Sequence, residues 1–143
     1  MEKTMITIVA AGAMLLGAAS AGLAASLVAS IDVSEQTMTV KKHGTVLYKW
    51  RVSTARKGYV TPRGQYSPTR MHKMWHSRKY DMSPMPYSIF FRGGYAIHGT
   101  NYVKALGRPA SHGCVRLDTA NAAKLYALVK EVGAGNTRIV VTN

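Results

Sequence analysis

Residues Thr45 to Val52 alternate strictly, with Val46, Tyr48, Trp50 and Val52 on one face and Leu47, Lys49 and Arg51 on the other. A period of two over eight residues predicts a half-buried strand and rules out an amphipathic helix there. Two further strand-like runs precede it, Leu27 to Val33 and Thr37 to Lys42, with Ser34-Glu35-Gln36 and His43-Gly44 as the intervening turn signals. Gly58, Pro62, Gly64 and Pro68 then punctuate a loop-rich stretch. Arg70 to Pro86 is polar, basic and rich in Met and His, without clean periodicity, and is expected either as a lid over a cleft or as a long surface connection. Tyr87 to Phe91 and Tyr95 to His98 read as strands about the turn Arg92-Gly93-Gly94. Asp118 can cap a helix from Thr119 to Val132, whose Ala122, Leu125, Val129 and Val132 recur at helical spacing before Gly133 ends it. Arg138 to Val141 is a closing strand. One helix against a mostly antiparallel sheet predicts a mainly β or α+β domain.

The 143 residues suffice for one domain with its own core, and an apolar content of 47% excludes general disorder. Lys3 followed by the uncharged run Met5 to Ala29 reads as an export signal. Cleavage sites are offered by Ala19-Ser20-Ala21 before Gly22 and by Gly22-Leu23-Ala24 before Ala25, so residues 1–24 are expected to be a signal peptide. The run is long enough to remain as a membrane anchor, but the small residues Ala18 to Ala25 favour cleavage. An exported, periplasmic or cell-wall-associated protein is expected. Removing the leader takes away one acid, Glu2, and one base, Lys3, leaving the formal charge at +13. Such a balance suits polyanionic or carboxylate-rich partners. The basic residues are spread along the chain, which argues against a compact nucleic-acid footprint.

Cys114 is the only cysteine, so it has no disulfide partner within the chain. It follows Ser111-His112-Gly113, and His98-Gly99-Thr100 lies upstream. A free thiol titrates near about 8.5, which leaves about 3% thiolate at neutral pH. A neighbouring imidazolium, with His98 the expected donor, would raise that fraction. Gly113 permits a tight backbone, and the N–H groups around Gly113 and Cys114 could converge on an oxyanion. This pattern suggests acyl transfer through a thioester. Two competing readings are a zinc site built from His98, His112 and Cys114, with His72 and His76 as a second pair if helical, and a non-catalytic basic module that binds cell wall. The first lacks an acidic residue to act as base or fourth ligand, so neither a metal nor another cofactor is expected.

His98-Gly99-Thr100 followed by Ser111-His112-Gly113-Cys114-Val115-Arg116-Leu117 resembles the signature of the L,D-transpeptidase catalytic domain, the YkuD-type family. The likeness extends to Val52-Ser53-Thr54, Thr61-Pro62-Arg63-Gly64, Met85-Pro86-Tyr87 and Gly93-Gly94-Tyr95-Ala96-Ile97, and so spans residues 27–141. It implies a β-sandwich-like fold with one main C-terminal helix, and a cysteine and a histidine in a cleft under a lid. It also implies a substrate, the peptide stem of peptidoglycan. The cysteine attacks the carbonyl of the third residue, releases D-alanine, and passes the acyl group to an amine of another stem, a wall-attached protein or a D-amino acid. With water as acceptor the same scaffold is an L,D-carboxypeptidase.

Carried onto this chain, the resemblance makes Cys114 the nucleophile and His98 the general acid and base, with the Gly99 carbonyl orienting the imidazole. His112 is expected to support the loop, and Ser111 to tie down the turn that Gly113 permits. Arg116 is expected either to fork onto a substrate carboxylate or to form a structural ion pair. Tyr87 is expected either to line the cleft or to pack in the core.

Overall fold

The computed structural model describes residues 25–143. The expected signal peptide, residues 1–24, lies outside the described residues. Strands β1 (Leu27–Asp32) and β2 (Thr37–Lys42) pair antiparallel, and their alternate side chains Leu27, Ala29, Ile31, Met38 and Val40 are fully buried. His43 and Gly44 both adopt positive φ, 49° and 79°, as a two-residue hairpin turn of the primed kind requires. They lead into β3 (Thr45–Arg51), which pairs antiparallel with β2 and forms one edge of the sheet. The alternation in β3 has the expected phase but a shallower burial. Tyr48 and Trp50 are half-buried and stacked at 4.8 Å, while Val46 and Leu47 are 54% and 40% exposed, because no further strand covers that edge.

On the other side of β1 lies β9 (Thr137–Thr142), parallel to it, followed by the short strand β4 (Gly64–Tyr66), antiparallel to β9. The first sheet thus runs β3-β2-β1-β9-β4. A second sheet has the order β5-β6-β7-β8, built from β5 (Arg70–Ser77), β6 (Ser83–Arg92), β7 (Tyr95–Thr100) and β8 (Val115–Asp118). Its last pair, β7 with β8, is parallel. The helix α1 (Thr119–Val132) begins where β8 ends. Asp118 accepts a 2.9 Å hydrogen bond from the Ala120 N–H, and Gly133, at φ 90°, closes the helix. Its Ala122, Leu125 and Val129 are buried with Ile89, Phe91, Ile97, Val115 and Leu117 of the second sheet and the inner face of the first. Each fully buried leucine or isoleucine in that core contributes about 1.5–3 kcal/mol. The architecture is mainly β, with two sheets and one main helix.

Three elements depart from the sequence expectations. The punctuated stretch after Gly58 contains β4, whose three residues are too short to show a period. The aperiodic segment Arg70 to Pro86 is a β-hairpin arm, formed by β5 and the first half of β6. Most of its side chains retain solvent contact, so no buried face imposes alternation, and Pro84 and Pro86 speak against a strand in sequence. Likewise β8 is a four-residue strand directly after Cys114, too short for its period to show in sequence.

Buried polar contacts connect the two sheets. Gln36, 4% exposed, donates from its amide to Val33 O at 2.8 Å and to Thr54 Oγ1 at 2.6 Å, and accepts the Thr54 N–H at 3.0 Å. Beyond this tether, Ser53 exchanges backbone hydrogen bonds with Arg116 of β8 at 2.9 and 3.0 Å. The chain leaving β3 therefore crosses to the free edge of β8. Gln36→Ala leaves buried Thr54 groups unpaired and is expected to destabilise the domain by about 1–3 kcal/mol, read from urea unfolding curves. A loss below about 0.5 kcal/mol would mean that water replaces the amide at little cost.

Candidate active site

The segment Ser111 to Cys114 is held by three hydroxyl-centred contacts. Ser111 Oγ donates to the Cys114 carbonyl at 2.6 Å and accepts the Gly113 N–H at 3.0 Å. Thr61 Oγ1 donates to the Gly113 carbonyl at 2.8 Å and accepts the Ala55 N–H at 3.0 Å. Gly113 has φ 133°, and a Cβ on it would lie 2.5 Å from Tyr95 Cε1 and 2.9 Å from the Val60 carbonyl oxygen. Only glycine fits both the conformation and the space. The tie expected of Ser111 is thus present, and it commits the Gly113 N–H to the turn.

The fixed loop delivers Cys114 to the start of β8, beside β7. In the parallel register Ile97 faces Val115 and His98 faces Arg116, so His98 on β7 and Cys114, the residue immediately before β8, come to neighbouring positions. Both line one cleft of about 880 Å³ under the β5–β6 arm. His98 is 6% exposed, and its Nδ1 lies 2.7 Å from the Gly99 carbonyl oxygen. A carbonyl can only accept, so Nδ1 carries the proton and Nε2 is left as the free acceptor. Gly99 has no room for a side chain, since a Cβ would meet Thr119 Cα at 2.9 Å.

Burial sets the charges. It pushes His98 down to about 4, against the Gly99 hydrogen bond and with help from the Arg116 charge. The Cys114 thiol packs against Met85, Phe90 and Ala96 and is pushed above its ordinary value by that burial, opposed by the Ala96 N–H and by Arg116. Its Sγ lies 3.8 Å from the Gly94 carbonyl oxygen. The free site therefore holds a neutral thiol and a neutral imidazole. The expected imidazolium that would generate a standing thiolate is disfavoured by desolvation.

The remaining sequence-derived residues fall in different places. Arg116 lines the cleft half-buried; its nearest acceptor, the Ala110 carbonyl oxygen, is 3.5 Å away. It has no ion-pair partner, the one ion pair among the described residues being Lys42 with Glu131. His112 stacks flat on Tyr80 of the arm at 4.0 Å and meets Tyr59 edge-on at 4.8 Å. Partial burial, then Arg56, Arg116 and Lys79, lower its pKa. Tyr87 does not line the cleft; its ring packs edge-on against Tyr126 of α1 at 5.6 Å. His72 and His76 lie on β5, so the helical pairing weighed for them does not arise.

The arm residues Trp75 and Tyr80, with Tyr95 of β7, also line the cleft and were not singled out in sequence. Lone aromatics in an aperiodic segment carry no signal that separates a cleft wall from a surface.

The model of the L,D-transpeptidase catalytic domain, YkuD, matches residues 27–141. A search of curated proteins returned no match. Among solved structures, an L,D-transpeptidase from Mycobacterium smegmatis superposes with a TM-score of 0.75 at 23% identity, covering 82% of this chain and 59% of that one. The L,D-transpeptidase of Xylanimonas cellulosilytica gives 0.71 at 29% identity, covering 83% and 61%. L,D-transpeptidase 3 from Mycobacterium tuberculosis, in complex with a faropenem-derived adduct, gives 0.70 at 20% identity, covering 82% and 60%. The chain spans about three fifths of the length of these structures. With two sheets and one helix in the same arrangement and a family match over nearly all the described residues, this chain belongs to the L,D-transpeptidase catalytic-domain family.

Proposed function

We propose that this domain is a cysteine acyltransferase acting on the peptide stems of peptidoglycan outside the cytoplasm. The observation that carries this reading is the placement of Cys114, at the entrance to β8, and His98, on the adjoining β7, in one cleft, the imidazole turned by Gly99 so that Nε2 is the free base.

Since both groups start neutral, proton transfer accompanies attack. Cys114 Sγ bonds to the carbonyl carbon of the third stem residue while His98 Nε2 takes the thiol proton. The tetrahedral oxyanion is assigned to the Cys114 N–H, because the Gly113 N–H already serves Ser111. Collapse breaks the C–N bond to the terminal D-alanine, whose amine leaves with the proton from the imidazolium. An acceptor amine from another stem, a wall-attached protein or a D-amino acid then attacks the thioester, giving its proton to Nε2 and restoring the thiol. Arg116, cationic and without a carboxylate partner, is placed to hold a substrate carboxylate. Ser111, Gly113 and His112 hold the loop in shape.

Cys114→Ala is expected to remain folded and to lose all turnover of tetrapeptide stems, followed by mass spectrometry of the products; wild-type-like turnover would end the cysteine mechanism. His98→Gln should lower kcat by about 10²–10⁴-fold, whereas His112→Gln should act mainly on thermal stability.

The pH profile follows from the direction of the His98 shift. A base pushed down to about 4 stays unprotonated through mildly acid solution, so kcat/KM should fall only as the pH drops towards 4. An acid limb at the ordinary imidazole value, 6.5, would contradict a buried base.

A strained β-lactam carbonyl offers the same sulfur an acyl donor, and the faropenem-derived adduct in the M. tuberculosis relative supports that chemistry. A carbapenem should add one drug mass per chain on Cys114, absent from Cys114→Ala and blocked by prior iodoacetamide treatment. Intact-mass analysis showing an adduct elsewhere, or none, would count against an acylating thiol.

A further inference from the structure

The cleft walls carry Arg70, Arg78, Lys79 and Arg116, and no Asp or Glu is among the lining residues. Such a cavity repels a cationic occupant and attracts an anionic one. Arg116, two residues after the nucleophile in sequence, already has a role in the acyl-transfer reading. Arg70 has none, yet it is the most elaborately held cation of the cleft.

Arg70 lies opposite Phe90 in the β5–β6 register. Its guanidinium carbon sits 3.5 Å above the Phe90 ring centre and 4.6 Å from that of Trp75. Its Nη1 donates to His72 Nε2 at 3.1 Å. His72 in turn leans against Trp75 at 4.8 Å, and Trp75 meets Phe90 edge-on at 5.7 Å. Phe90 belongs to the small apolar cluster against which Cys114 packs. One aromatic ring thus links the guanidinium to the floor beneath the sulfur.

This arrangement uses the flat face of the guanidinium for stacking and a single N–H for His72. Hydrogen bonding to a carboxylate uses the edge, where the other N–H groups lie, and Arg70 has no ion-pair partner among the described residues. We propose that Arg70 is a specificity residue that binds a side-chain carboxylate of the donor peptide, so that the enzyme selects stems carrying the free acid over stems carrying the carboxamide. The proposal rests on the acyl-transfer reading above. Pre-organisation by Phe90, Trp75 and His72 limits the entropy lost when the carboxylate docks.

The test uses two synthetic tetrapeptide donors that differ only in bearing a side-chain carboxylate or its carboxamide, with wild type, Arg70→Gln and Arg70→Lys. A charge-assisted hydrogen bond corresponds to about tenfold or more in kcat/KM. Wild type is expected to prefer the acid donor by that factor. Arg70→Gln should lose the preference by slowing the acid donor while leaving the carboxamide donor within about twofold, and Arg70→Lys should keep part of it. Equal loss on both donors in Arg70→Gln would reduce Arg70 to a structural clamp and overturn the proposal. So would equal use of the two donors by wild type, a comparison that needs no variant to fold. If wild type turns over neither donor, the acyl-transfer reading itself falls, and the specificity with it.

Discussion

The parallel pairing of β7 with β8, Ile97 against Val115 and His98 against Arg116, brings His98 and Cys114 into one cleft. The sixteen-residue separation of His98 and Cys114 along the chain says nothing about this proximity. The register does, and it is held from both sides. On one edge β7 continues into the sheet through β6; on the other, Ser53 exchanges backbone hydrogen bonds with Arg116. The segment that supplies Ser53 is anchored by Gln36 to Thr54, so a buried amide at the end of the first sheet helps to fix the edge of the second. A slip of one residue in β8 would turn each of its side chains to the opposite face. The core residues Val115 and Leu117 would then leave the interior, so the register that brings His98 and Cys114 together is also the one that keeps this part of the core buried.

The site is built to be dry and is electrostatically lopsided. Burial keeps His98 and Cys114 neutral in the free protein, so the charge separation needed for attack arises only when an electrophile is present. That arrangement keeps a lone thiol unreactive in the free protein, because the thiolate is the form that oxidants and disulfides attack most readily. The surrounding cations then favour an occupant that brings its own negative charge. The formal charge of +13 is concentrated in part where a peptide carboxylate would lie, along the cleft walls.

Much of the fold was legible because its strands obey simple rules. β1, β2, β3, β7 and β9 have one buried face, or a turn with the right chemistry at their ends, and α1 carries its cap, its apolar stripe and its terminating glycine in plain view. The arm from Arg70 to Pro86 was not legible as strands. Its side chains face a cleft and the solvent, and two prolines interrupt the pattern that a strand in a sheet interior would show. For the same reason Arg70, Trp75 and Tyr80 gave no signal: their importance lies in what they face across the cleft. Tyr87 shows the opposite limit: sequence left open whether it lines the cleft or packs in the core, and its ring packs on Tyr126 of α1.

By itself, the sequence determined the chemical identity of the site: one thiol, a glycine before it, a serine to fasten the turn and a histidine followed by glycine. These are local properties, fixed by valence, backbone conformation and hydrogen bonds between near neighbours. Only the tertiary structure decided their protonation states, since desolvation depends on what covers a group and not on what adjoins it in sequence. It also decided that His112 stacks on the arm, that Arg116 has no carboxylate partner, and that Arg70 is held over Phe90 and Trp75 at the cleft wall. Each of those facts joins residues from different strands, and contacts between distant parts of a chain come into being only when the sheets pack.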